Sequence, residues 1–215
     1  MNMINILVVD DHALIRKGLK MLLEESPDFQ IKGEASTGIQ AVKMMREQHF
    51  DLVLLDMSLP DQHGMDVLKQ LKSEQSDIKI IVLSMYPEEQ YGLRALKAGA
   101  SGYINKQSAS EKLVGAIKQV TSGKKYISET LAEQLLSNLV GDSQDVPHQS
   151  LSNREFQTLC LMSSGNSLTE ISEIMNLSPK TISVYRARML EKMGFKNNAE
   201  AVHYAIANRL VETKK

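Results

Sequence analysis

Four short apolar runs in this chain each stop on residues that can do chemistry. "INILVVDDH" (4–12) closes on Asp10 and Asp11, "LVLLD" (52–56) on Asp56, "IIVLS" (80–84) on Ser84, and "GYINK" (102–106) on Asn105 and Lys106. Three carboxylates gathered in one place repel one another unless a hard cation joins them. Mg2+ suits such a set because it takes one or two carboxylates and keeps waters and phosphate oxygens beside them. With Asp10 and Asp11 on the metal, Asp56 is left as a carboxylate nucleophile toward a phosphoryl group. Lys106 and the cation would neutralise charge on the equatorial oxygens during an in-line transfer, and Ser84 would donate a hydrogen bond to the phosphoryl group once installed. An enzyme that turns over an aspartyl-phosphate would need a second acid two residues beyond the nucleophile, where Ser58 stands. His12 and His63 have no second ligand at helical spacing, which argues against a transition-metal site.

These groups meet only if the runs are neighbouring strands. β-branched runs alternate with amphipathic stretches: 4–9 then 14–23, 29–35 then 39–49, 52–55 then 65–71, 78–83 then 90–98, and 102–104 then 112–120. Five strand-then-helix units predict an α/β fold, a doubly wound five-stranded parallel sheet. Strands buried on both faces of such a sheet need no polar alternation. Ligands of open α/β sheets bind beyond the carboxyl ends of the strands, which is where all these residues fall.

An amphipathic stretch, 126–140, opens with Ser128, and "GDSQDVPHQS" (141–150) reads as a linker. Beyond it a small all-α domain is expected. Ser152-x-x-Glu155 and Ser167-x-x-Glu170 each match a capping box, Ser178-Pro179 matches an N-cap followed by proline, and Asn198 is positioned to cap a fourth helix running to Arg209. The segment 176–196 carries Lys180, Arg186, Arg188, Lys192 and Lys196 against the single acid Glu191. On a helical wheel Ile182, Met189, Leu190 and Met193 share one side. Lys180, Val184, Ala187 and Arg188 point away, Thr181 and Ser183 flank them, and Arg186 falls toward the packed side. A short helix, a turn and a second helix with one packed and one presented face are the elements of a helix-turn-helix that reads double-stranded DNA in the major groove.

On these motifs residues 1–122 resemble a two-component receiver domain. Residues 148–213 resemble the LuxR-type helix-turn-helix domain of NarL/FixJ-family response regulators, and "SPKTISVYRARM" is similar to the GacA/UvrY branch. The resemblance implies a receiver over 1–122, a linker with a helix over 123–147, and a DNA-binding domain over 148–215. It implies that Asp56 takes phosphate from a sensor histidine kinase, that Asp11, Asp56 and the Met57 backbone carbonyl ligate Mg2+ with support from Asp10, and that Lys106 serves the transfer. Phosphorylation would draw the switch residues Ser84 and Tyr103 inward and favour a homodimer. Lys180, Thr181, Ser183, Val184, Tyr185 and Arg188 become candidate DNA contacts. Arg186 stands where the family commonly has an apolar residue, and would reach a phosphate by extending its stem. Gln107 follows the lysine where many receivers have proline.

Composition agrees with this reading. Residues 1–122 hold 14 Lys+Arg against 16 Asp+Glu, whereas 151–215 hold 9 against 6, so the C-terminal part is the expected partner of a polyanion. The one cysteine, Cys160, forms no internal disulfide and fits a helical apolar pattern as core filler. No apolar run is long enough to span a membrane, and a cytoplasmic setting is expected.

Overall fold

The computed structural model describes residues 3–140, 147–208 and 210–211. Residues 141–146 of the expected linker, and Arg209, lie outside the described residues. The chain forms two compact units, one through Gln134 and one from Leu135.

In the first unit, strands β1 (Ile4–Val9), β2 (Phe29–Ala35), β3 (Leu52–Asp56), β4 (Lys79–Ser84) and β5 (Gly102–Asn105) alternate with helices α1 (Ala13–Glu24), α2 (Gly38–Glu47), α3 (Gly64–Glu74), α4 (Glu88–Lys97) and α5 (Ala109–Thr121). Each strand pairs in parallel, in the order β2-β1-β3-β4-β5. The order reverses between β1 and β3, so the two crossovers leave a crevice where Asp10 and Asp56 emerge.

Period-two alternation divides the core. Ile6, Val8, Leu52, Leu54, Ile81 and Leu83 pack with Leu19, Leu23, Leu113, Ile117 and Val120 of α1 and α5. Leu7, Val9, Val53, Leu55, Ile80 and Val82 face the other way and are equally buried. Each such side chain contributes about 1.5–3 kcal/mol on burial, enough to make the strand register costly to shift.

Helix α6 (Glu129–Val140) follows α5. Its first turns belong to the first compact unit, where Leu131 is fully buried against α4. In the second unit Pro147–Ser150, expected as linker, form a short helical turn ahead of α7 (Asn153–Ser163), α8 (Leu168–Ile174), α9 (Pro179–Met193) and α10 (Asn198–Ala207). Both capping boxes are present. The cap of α10 is Asn197, not Asn198: its side chain accepts from the Glu200 amide, and the helix begins one residue later. Among the described residues no helix is long and apolar enough to cross a membrane.

Candidate functional site

Asp10 and Asp56 leave adjacent strands with almost no solvent exposure, 1% and 2%. Lys106 reaches between them: its Nζ lies 2.7 Å from Asp10 Oδ2 and 2.8 Å from Asp56 Oδ2. A three-residue helical turn, Lys106–Ser108, carries the lysine, and Asn105 caps it by accepting from the Gln107 amide at 2.9 Å. Burial pushes the Asp56 carboxyl up, and Asp10 adds to the push, while Lys106 and the Ser58 amide oppose it. For Lys106 burial acts downward, but two carboxylates outweigh it and hold the ammonium charged. The asymmetry is physical: the lysine faces two anions, whereas Asp56 shares one cation with a like-charged neighbour.

Asp11 and His12 complete the pocket. Oxygen or nitrogen atoms of Asp10, Asp11, His12 and Asp56 all lie within 4.8 Å of one another. Three carboxylates against one ammonium leave excess negative charge, and the buried Oδ2 atoms of Asp10 and Asp56 make no regular hydrogen bond besides their ion pairs. The donor set fits a hard cation. The Met57 carbonyl accepts from Gly64 N–H at 2.9 Å, which leaves its second lone pair available. Gly64 permits this loop to close, since a Cβ there would sit 2.4 Å from the Asp56 carbonyl oxygen.

Ser84 ends β4 beside this group and is fully buried; its Oγ accepts from the Tyr86 amide at 3.0 Å. Tyr103 is already inward in this structure, 1% exposed, with its hydroxyl donating to the Tyr86 carbonyl at 2.9 Å. Both switch candidates thus sit inward in this structure, with the backbone of Tyr86 anchoring the two hydroxyls. Burial raises the Tyr103 phenol well above its ordinary range, so it acts as a donor.

In the second unit α9 starts at Ser178, whose Oγ accepts from the Thr181 amide at 3.1 Å, and stops at Gly194 in the left-handed conformation. Ile182, Met189 and Met193 are buried, while Lys180, Ser183, Val184, Ala187 and Arg188 are exposed. Thr181, Tyr185 and Arg186 are half-buried. Arg186 Nε donates to Asn198 Oδ1 at 2.7 Å, tying α9 to the start of α10.

Residues 6–118 match the response regulator receiver domain, and residues 149–205 match the luxR family of bacterial regulatory proteins. The chain is a two-component response regulator. Response regulator UvrY of Escherichia coli K12 is 40% identical over 209 residues, spanning 97% of this chain and 96% of the relative. Response regulator GacA of Pseudomonas aeruginosa is 36% identical over 211 residues, spanning 98% and 99%. RcsB of Salmonella typhimurium superposes with a TM-score of 0.59 at 27% identity, over 96% of this chain and 100% of that one. RcsB has also been solved as two dimers bound to two DNAs, a structure that aligns with a TM-score of 0.59 at 25% identity over 96% of this chain and 99% of that one. The regulator is thus a LuxR-type DNA-binding transcriptional regulator with a receiver domain whose acidic pocket is assembled in the fold. Sequence reasoning set His12 aside, yet its Nδ1 lies 2.7 Å from Asp11 Oδ1 in the regulator's pocket. It also missed the Tyr86 backbone, and only the tyrosine's place two residues past Ser84 hints at it.

Proposed function

We propose that Asp56 is the phosphoacceptor of this regulator and that a sensor histidine kinase supplies the phosphoryl group. The observation that carries the reading is the Lys106 ammonium shared by two buried carboxylates at strand ends. An Asp56 oxygen attacks phosphorus, the bond from phosphorus to the donor histidine nitrogen breaks, and its electron pair returns to the imidazole. Lys106 sits where charge on the transferring oxygens develops, and Ser84 donates to the installed group. Asp10, Asp11, Asp56 and the Met57 carbonyl would hold Mg2+, which supplies charge neutralisation on the phosphoryl oxygens when bound. The receiver is assigned to 1–122, the linker to 123–147 and the DNA-binding domain to 148–215.

Lys180, Thr181, Ser183, Val184, Tyr185 and Arg188 are the proposed DNA-facing set. Arg186 acts with them by fixing α9 against α10. RcsB has been solved as dimers bound to DNA; here two copies would bind paired half-sites, each gaining from the effective concentration of the other once phosphorylation favours the dimer. The regulator acts in the cytoplasm.

Incubation with Mg2+ and a small phosphodonor, followed by intact mass and elution volume, tests this reading. One base-labile phosphoryl adduct on the wild type, absent from Asp56→Asn and accompanied by a shift toward dimer, is expected. No adduct on folded protein would make Asp56 a structural carboxylate.

A further inference from the structure

Asp10, Asp11 and His12 form the link between β1 and α1, so the geometry of the acidic pocket depends on how that link is held. The usual fastening is missing. His12, at the N-cap of α1, makes no side-chain capping bond, and the first turn carries no acid.

Arg16, one turn into α1, takes over. Its Nη1 donates to the backbone carbonyl of Asp10 at 2.7 Å, and its Nε donates to Glu34 Oε2 at 3.0 Å. Glu34 lies on β2, and the adjacent Ala35 carbonyl accepts from the Asp10 amide at 3.0 Å. The peptide groups on both sides of Asp10 are therefore tied to β2, one directly and one through the guanidinium. The Asp10 carboxylate adds a third tie, accepting from the His12 amide at 2.9 Å. A planar guanidinium with donors fixed in a fork serves two acceptors at set angles, which an ammonium on a flexible stem does not reproduce.

We propose that Arg16 is a positioning residue for the cation pocket, holding the Asp10 backbone so that Asp10 and Asp11 converge on a divalent ion. The inference rests on the cation reading given above and adds to it a residue that touches neither phosphoryl group nor metal. Groups that orient metal-binding side chains typically cost 10–100-fold in affinity when removed.

Charge and geometry predict opposite outcomes, which makes the role testable. If Arg16 acted only as a positive charge beside the acidic cluster, removing it would tighten cation binding. If it positions the loop, removing it weakens binding despite the more negative pocket.

The experiment is calorimetric titration of the unphosphorylated full chain with Mn2+, and with Mg2+ in competition, for wild type, Arg16→Lys and Arg16→Ala, with circular dichroism to confirm folding. Both variants are expected to bind about tenfold more weakly than wild type. Arg16→Lys retains the charge and decides the matter alone if Arg16→Ala does not fold. Affinity unchanged in Arg16→Lys, or tightened in Arg16→Ala, overturns the positioning role while leaving the cation site intact. A wild type that binds neither ion overturns the cation site, and this inference with it.

Discussion

Glu88 and Ser128 join the receiver's α4 to the helix that leaves it. Glu88 Oε2 accepts from Ser128 Oγ at 2.7 Å, and the same hydroxyl accepts from the Leu131 amide at 3.1 Å, so one serine both caps α6 and moors it. One turn along α4, Gly92 leaves room for the buried Leu131, whose Cδ1 would lie 3.1 Å from a Cβ at that position. The mooring is contiguous with the pocket: Tyr86, which anchors Ser84 and Tyr103, packs its ring 5.1 Å from that of Tyr91 on α4.

Glu88 gives this junction a pH dependence. Burial raises its carboxyl above the ordinary range despite the Ser128 bond, and Oε1 is buried without a hydrogen bond. The folded state therefore binds the proton more tightly than the unfolded chain. Stability is highest below the unfolded carboxyl pKa and falls as pH rises through the folded value. Glu88→Gln should raise the receiver's melting temperature near neutral pH, with the gain disappearing below about pH 4. Melts at the two pH values check this, and an equal gain at both would remove the carboxyl as its cause.

Lys106→Met should destabilise the receiver by about 3 kcal/mol in chelator, since two buried carboxylates lose their shared cation. Added Mg2+ should restore part of the loss by mass action. Asp56→Asn should be no less stable than wild type, because it relieves like-charge repulsion while Asp10 keeps its partner. Urea melts with and without the ion give both comparisons.

On α9 two arginines should part company. Arg188 is exposed on the presented face, so Arg188→Ala should weaken DNA binding and reduce the salt slope by about 1 if it meets a phosphate. Arg186→Ala breaks the bond to Asn198 and should lower the melting temperature of the C-terminal unit with little change in slope. Binding isotherms over a salt series, with melts, separate the two.

Glu155 ties the capping box of α7 to α9: its Oε2 accepts from the Ser152 amide at 2.8 Å and from Lys192 Nζ at 2.7 Å. Burial pushes this carboxyl up, but the bonds from Lys192 and Ser152 outweigh it and hold the pKa below the ordinary range. The stabilisation is present above the unfolded carboxyl pKa and is lost as pH falls through the lowered folded value. Glu155→Ala should cost the C-terminal unit about 1 kcal/mol near neutral pH and progressively less under acid. Calorimetric melts of variant and wild type across that range test it.

Strands, helices, the caps of α7, α8 and α9 and the residues closing each strand were legible in the sequence because their signals are local: two-residue and 3.6-residue periods, Ser-x-x-Glu boxes, and Ser178-Pro179 at the start of α9. That the sheet is parallel followed from alternation and from the need to bury both of its faces. Which atoms meet was decided by tertiary packing. Lys106 between Asp10 and Asp56, Arg16 turned back onto the Asp10 carbonyl, Arg186 drawn to Asn198, and Ser128 seated on Glu88 each join groups from different elements. Such contacts depend on strand order, on where helix axes cross, and on the burial that sets each side chain's direction. No local period encodes those quantities, so the chemistry of the pocket could be anticipated from residue types while its supporting bonds could not.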